Sequence, residues 1–348
     1  MIYIRTDANE NIATGHVMRC LTIAKRLIQI GETVVFVVAD EQSVCLIKAA
    51  GIKYIVLNTD WSNPDNDIEL GMMKQLLDSY CAKNGEQAKL LIDSYMIDGE
   101  YTDKLHSHAK IIVVDDLFEY TYNADMIINY TLYNGMFDYA GRYGRSARLC
   151  LGGSYVPLRD EFADISAKPC SSGELDVLVI CGGGDTLNCL TKIVQSVAEN
   201  SICSRHRYHV VAGAYNPHKN ELHRQAQMYD WLNVYDNVSD MVSLMRKCDI
   251  AVSAASTVLY ECCAVKLPTI FFTVADNQRF DRDCFSADDV MVYAGDMQSE
   301  PDITRKRICS AIQELAADCE RRRHMQRKMQ MLVDGNGALR IAQKIMEV

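Results

Sequence analysis

At 348 residues, with 49% apolar and 24% charged side chains and six prolines, the chain has the composition of an ordinary globular protein, long enough for two domains and unlike a disordered one. A formal charge of −10 argues against nucleic acid as a partner, since its binding draws on surplus Lys and Arg. No segment approaches the ~18 uninterrupted apolar residues of a membrane span, and the opening stretch, broken by Arg5 and Asp7, lacks the basic start and apolar centre of a secretory signal.

A cytoplasmic protein is therefore expected. Its 14 cysteines have no regular spacing and fall within predicted strands and helices, which favours reduced core thiols over disulfides. Neither Cys-x-x-Cys nor His-Glu-x-x-His occurs, so no metal and no cofactor is expected.

Short β-branched runs alternate with amphipathic stretches along the chain. Strands are predicted at residues 2–5, 33–38, 54–57, 89–92, 110–114 and 126–129, then at 176–181, 207–212, 233–235, 250–253, 269–272 and 290–293; helices fall at 17–30, 67–84, 187–199, 217–228 and 257–265. Such alternation predicts an α/β protein whose parallel sheets are covered by helices. Between Thr131 and Gly173 the pattern breaks into a Gly-, Pro- and Ser-rich stretch that reads as turns and a linker. The expected domains are 1–170 and 171–348, facing each other across a cleft, with the last helix (337–347) a candidate to cross back to the first.

The motifs follow in chain order. Behind the first strand, Thr14-Gly15-His16 leads into a helix, which puts an imidazole at the carboxyl edge of a sheet, where ligands of open α/β sheets bind. A helix amino terminus disfavours a cationic ring, which suits a proton acceptor. Asp93-Ser94-Tyr95 ends a later strand at the same edge. Asp115-Asp116 closes the neighbouring strand and, without further ligands, reads as capping.

In the second half, Cys181-Gly182-Gly183-Gly184-Asp185-Thr186 offers glycines that let a phosphate approach the backbone, with Asp185 or Thr186 as a helix cap. It is not Gly-x-Gly-x-x-Gly, which removes a dinucleotide reading. Read alone, it is equally a tight turn. Ser253 to Glu261 combines small residues, the hydroxyls of Ser256 and Thr257 and a carboxylate one turn on, a combination suited to a diphosphate and a ribose. Asp276-Asn277-Gln278 closes the following strand, as sugar or water ligands or as turn residues. The basic run Arg321-Arg322-Arg323 lies in a helical pattern and reads as a solvated face.

Taken together, in this order, the chain resembles the UDP-sugar hydrolase family of pseudaminic acid biosynthesis, which is related to glycosyltransferases of the two-Rossmann-domain (GT-B) kind. The resemblance is carried by Arg5-Thr6-Asp7 with Thr14-Gly15-His16-Val17-Met18-Arg19, Asp93-Ser94-Tyr95, Asp115-Asp116-Leu117, Gly152-Gly153-Ser154-Tyr155 with Leu158-Arg159, Gly182 to Asp185, Ala255 to Glu261, Asp276-Asn277-Gln278, and Asp334 to Ile341. It implies a GT-B-like fold and metal-independent, inverting hydrolysis of UDP-2,4-diacetamido-2,4,6-trideoxy-β-L-altropyranose to UDP and the free sugar.

Carried over position by position, the resemblance implies that His16 is the general base, with Tyr95 and Asn277 beside the sugar and water. Glu261 would hold the ribose, and Ser256, Thr257 and the Gly183 region the diphosphate; Gly15, Arg19, Gly184, Asp185 and Gln278 complete the expected substrate contacts. One departure falls at Ala13, where the family loop has glycine and where alanine restricts positive φ. A GT-B glycosyltransferase using a UDP-sugar, and a sugar-nucleotide-binding protein without catalysis, are the competing readings.

Overall fold

A computed structural model of the protein describes residues 1–9, 12, 14–213, 215–236 and 238–348, apart from the side chain of Asn277. Ala13, and the family departure it represents, lies outside the described residues. The elements in chain order are β1 (Ile2–Thr6), α1 (Gly15–Gln29), β2 (Val34–Val38), α2 (Val44–Ala49), β3 (Lys53–Val56), α3 (Asp67–Asn84), β4 (Ala88–Asp93), α4 (Gly99–Leu105), β5 (Ala109–Val114), β6 (Met126–Asn129), α5 (Tyr139–Tyr143) and β7 (Arg148–Leu151). They continue with β8 (Asp176–Ile180), α6 (Cys189–Ala198), β9 (Arg207–Ala212), α7 (Lys219–Ala226), β10 (Leu232–Asp236), α8 (Met241–Lys247), β11 (Ile250–Ala254), α9 (Val258–Val265), β12 (Thr269–Thr273), α10 (Arg279–Ser286), β13 (Val292–Asp296), α11 (Pro301–Ala317), α12 (Cys319–Leu332) and α13 (Gly337–Met346).

Two compact units result: residues 1–160 with 336–348, and residues 161–335. The first holds a seven-stranded sheet in the order β3-β2-β1-β4-β5-β6-β7, the second a six-stranded sheet in the order β10-β9-β8-β11-β12-β13. All the paired strands are parallel. Parallel strands covered on both faces need unbroken apolar runs, and β2 (Val-Val-Phe-Val-Val) and β8 (Asp-Val-Leu-Val-Ile) are buried along their whole length. On α1, Val17, Cys20, Leu21, Ala24 and Leu27 fall three or four apart and form its buried stripe. Local chemistry bounds the longest helix of the first unit. Asn66 accepts the Glu69 N–H where α3 begins, and Gly85, at φ 75°, ends it in the left-handed conformation.

The units divide at 160/161, ten residues before the break expected from composition. The polar stretch after 160 is tied down within the second unit: Asp164 N–H donates to Asp334 O at 3.2 Å, Lys168 pairs with Asp249 at 2.8 Å, and the Ser171 hydroxyl donates to Asp249 at 2.8 Å. Helix α13 belongs to the first unit, where Ile341, Ala342 and Ile345 are buried and the Lys89 ammonium donates to Ile345 O at 2.7 Å. Strand β7 lies inside the stretch read as turns and linker. Among the described residues, no helix is long and apolar enough to cross a membrane.

Candidate functional site

In the first sheet β1 and β4 are neighbours, with Thr6 opposite Asp93 at their carboxyl ends. The chain reverses its direction of travel across the sheet between these two strands, so the crevice beyond them is a topological switch point, the place where open α/β sheets bind ligands. Helix α1 starts above it, and His16, its second residue, is 7% exposed. Its Nδ1 lies 2.7 Å from Asp93 Oδ1.

Asp93 is held from the other side by Arg19, one turn along α1, whose Nε and Nη2 donate to Oδ2 and Oδ1 at 2.5 Å each. Burial opposes ionisation of Asp93, but the Arg19 guanidinium and then His16 outweigh it and hold the carboxyl well below the usual carboxylate range. An anionic Asp93 accepts only, so its contact favours a hydrogen on Nδ1, while Arg19 Nη2 also lies 3.0 Å from that nitrogen. The Asp93 contact holds the orientation of the ring.

Arg19 was expected to bind substrate. In the structure its guanidinium is engaged internally: besides Asp93, Nη1 donates to Asp116 at 2.7 Å and to the Tyr130 hydroxyl at 2.5 Å. Gly15, the first residue of α1, has open space where a Cβ would stand. Tyr95, in the loop after β4, is 41% exposed, meets the His16 ring edge-on at 4.5 Å, and donates to Asp116 Oδ2 at 3.3 Å. Burial, then the charge of Asp116, pushes its phenol well above the ordinary tyrosine value, so the group is a proton-bearing donor.

Sequence reasoning put Asp93 and Tyr95 at the same sheet edge as His16 and named Arg19, but did not join Asp116 and Tyr130 to them. Asp115 does cap, accepting the Phe118 N–H at 2.8 Å. Asp116 does not; it turns to Arg19 and Tyr95.

The second sheet repeats the geometry, with its switch point between β8 and β11. After β8, Gly182 takes φ 72°, which glycine tolerates without strain, and Gly183 and Gly184 expose their backbone. Asp185, expected at the substrate, is buried at 5% and caps α6, accepting the N–H groups of Cys189 at 2.7 Å and Leu190 at 2.9 Å. Its oxygens and the thiols of Cys181 and Cys189 lie within 4.8 Å of one another. Those carboxylate oxygens already hold the helix, and the bond to Cys189, then burial, pushes the Cys181 thiol up, so the group is a poor ligand set for a metal, which needs thiolate.

After β11, a Cβ on Gly182 would lie 4.0 Å from the Ser256 hydroxyl, which puts that hydroxyl beside the glycine loop. Ser256 Oγ accepts the Val258 N–H at 3.3 Å. Thr257 is the N-cap residue of α9, exposed and without a side-chain cap bond, and Glu261 is half-buried in the first turn. Gln278, also expected at the substrate, braces two loops: its Nε2 donates to Ala255 O at 2.6 Å and its Oε1 accepts the Val274 N–H at 2.8 Å. Asn277 lies in the turn of residues 276–278 that follows β12, with its side chain outside the described residues.

Residues 177–345 match the family model "Glycosyltransferase family 28 C-terminal domain". The chain is 22% identical over 267 residues to the UDP-2,4-diacetamido-2,4,6-trideoxy-β-L-altropyranose hydrolase of Campylobacter jejuni, covering 76% of this chain and 88% of that protein. A Methanocaldococcus jannaschii protein, MJ1062, is likewise 22% identical over 82% of this chain, but the match spans only 57% of its own length. Among solved structures, MurG of Acinetobacter baumannii superposes with a TM-score of 0.70 at 11% identity, covering 100% of this chain and 99% of that one. The chain thus has the two-sheet α/β fold of the GT-B glycosyltransferases.

Proposed function

We propose that the protein hydrolyses a UDP-linked deoxy-amino sugar of the diacetamido-trideoxy-altropyranose type to UDP and free sugar, the first unit acting on the sugar and the second holding the nucleotide. The observation that carries this reading is the His16–Asp93 pair secured by Arg19 at the switch point of the first sheet. A binding protein has no need of an imidazole whose orientation a buried carboxylate holds. The Campylobacter relative supplies the substrate class.

In this mechanism water attacks the anomeric carbon on the face opposite UDP, and His16 Nε2 takes its proton as the C–O bond forms, a contribution of ~10² to 10⁴ in rate. One displacement inverts the centre. Negative charge grows on the departing diphosphate, where the glycine loop after β8 and the amino end of α9 offer N–H groups and the Ser256 and Thr257 hydroxyls; such preorganised donors lower the barrier because they bind the developing charge better than the ground state. Glu261 is assigned to the ribose, and Asn277 to the sugar and water.

The family 28 match favours a second reading, transfer of the sugar to an acceptor hydroxyl. Incubating the purified protein with the UDP-sugar alone separates the two. UDP release without acceptor, with the sugar freed as the inverted anomer by NMR, is the expected result; release only after an acceptor is added establishes a transferase, and binding without release a non-catalytic protein.

The nucleotide loop has its own test. A Cβ on Gly213 would stand 2.2 Å from Gly182 O and 2.5 Å from Gly183 O, both backbone atoms. Gly213→Ala must therefore displace the glycine loop, and UDP affinity measured by calorimetry is expected to fall about tenfold, or ~1.4 kcal/mol. Unchanged affinity in the folded variant would remove the loop from the diphosphate site.

A further inference from the structure

Asp116 holds a feature that neither capping nor the His16 pair explains. The residue is 6% exposed, and its Oδ2 accepts Arg19 Nη1 at 2.7 Å and the Tyr95 hydroxyl at 3.3 Å. Its Oδ1 is buried and accepts no hydrogen bond among the described residues. Buried polar atoms are nearly always satisfied, and an anionic oxygen stripped of water without a donor is among the costlier exceptions. The adjacent Asp115 shows the usual outcome, with one oxygen accepting the Phe118 N–H at 2.8 Å and the other the Tyr139 hydroxyl at 3.1 Å.

Position gives the orphan oxygen a purpose. Tyr95 and Ser94 line two recesses at the carboxyl edge of the first sheet: one contains Asp7, His16 and Asp93, the other Asp115, Asp116 and Tyr120. Tyr95 borders both, meeting the His16 ring and donating to Asp116, so a sugar handled at His16 lies one side chain away from the Asp116 recess. We propose that Asp116 is a specificity-determining residue that reads a hydrogen-bond donor on the sugar, the N–H of an acylamino group or a hydroxyl, through Oδ1. The inference rests on the proposed handling of the sugar by the first unit.

Two properties make this carboxylate a selective reader. Ionised, it accepts and never donates, so a keto group or bare methylene at that position leaves it unpaired and is refused. Arg19, itself fixed by Asp93 and Tyr130, holds Oδ2 and so sets the direction of Oδ1 before the sugar arrives, which lowers the ordering cost of binding.

The test is calorimetric, on full-length protein carrying His16→Asn to halt turnover, compared as wild type at position 116 and as Asp116→Asn, with three probes: UDP, UDP-2,4-diacetamido-2,4,6-trideoxy-β-L-altropyranose, and analogues of it in which each acetamido or hydroxyl group is replaced in turn by hydrogen. Asp116→Asn is expected to bind UDP within about twofold of wild type and the UDP-sugar at least about tenfold more weakly. For one analogue, and one only, the mutation and the missing group should cost no more together than either alone, which names the group read as amide or hydroxyl. Equal UDP-sugar affinity in the two proteins, loss of UDP binding in the variant, or additive losses for every analogue would each overturn the proposal. A wild type that binds UDP but no UDP-sugar removes the functional reading itself and this inference with it, whereas a wild type that binds both while the variant matches it removes only the role of Asp116.

Discussion

Replacing His16 by Asn is expected to lower kcat for UDP-sugar hydrolysis by ~10² to 10⁴ while leaving UDP affinity within about twofold of wild type. The asymmetry follows from where the residue sits. His16 belongs to the first unit, on α1, and touches Asp93, Arg19 and the Tyr95 ring, whereas the residues assigned to the nucleotide belong to the second. Asparagine can keep a hydrogen bond to Asp93, so a fall in rate reports the lost proton acceptor and not a collapsed loop. Asp93→Asn offers the complementary result. The imidazole stays in place, but an amide can donate to Nδ1 and drive the hydrogen onto Nε2, which abolishes the free lone pair; kcat should fall with UDP affinity retained. UDP release measured under single-turnover conditions, beside UDP calorimetry, checks both, and full turnover in His16→Asn would end its assignment as base.

Much of the framework behind this result was legible in the sequence because buried parallel strands write themselves as β-branched runs. Strands β6 and β9 fall on the predicted residues, and helix α3 was read at its true bounds since an Asn cap and a following glycine punctuate it. Strand β7 was hidden because its burial pattern is mostly intermediate or exposed and Arg148 opens it; an edge strand has less need of apolar residues and lies here between glycine-rich turns. The last strand was placed too early: Val290 and Met291 are buried and β-compatible, yet the positive φ values of Asp288 and Asp289 make a turn that delays the sheet until Val292.

The site shows the same division. A histidine at a strand-to-helix turn can be recognised from local order alone, and so His16 was named. Its partners come from β4, from the end of β5 and from the loop after β6, and only strand register brings Asp93 to Thr6 and Asp116 to Arg19. Asp185 and Gln278 show what local order does not reveal: polar residues in a ligand-edge loop attract a binding role, and in the fold they also satisfy the backbone of the loop itself.

A second large effect is expected far from any proposed substrate contact. Arg5 is fully buried on β1, where its Nη1 donates to Asp7 and its Nε and Nη2 reach the two oxygens of Glu69 at 2.8 and 3.3 Å. Glu69 also accepts the Thr59 hydroxyl at 2.6 Å and the Tyr101 hydroxyl at 3.2 Å, and Asp7 accepts the Ala39 N–H at 2.7 Å. Burial works against the guanidinium charge, but Asp7 and Glu69 overcome it and raise the Arg5 pKa above its ordinary value.

Arg5→Met keeps the length of the side chain and removes its charge, leaving two carboxylates buried without their cation, a loss of ~3–5 kcal/mol by the usual cost of breaking such a pair. Chemical denaturation followed by fluorescence and far-UV circular dichroism should show the early unfolding of one unit, with UDP binding by the other retained under native conditions. Because Asp7 lines the same recess as His16, turnover should fall together with stability. The double variant Arg5→Met/Glu69→Met should be more stable than Arg5→Met alone, since it withdraws one of the stranded carboxylates. A single variant that loses less than ~1 kcal/mol would mean that Asp7 and Glu69 are satisfied by their neutral donors, and that the guanidinium is a passenger in the core of the first unit.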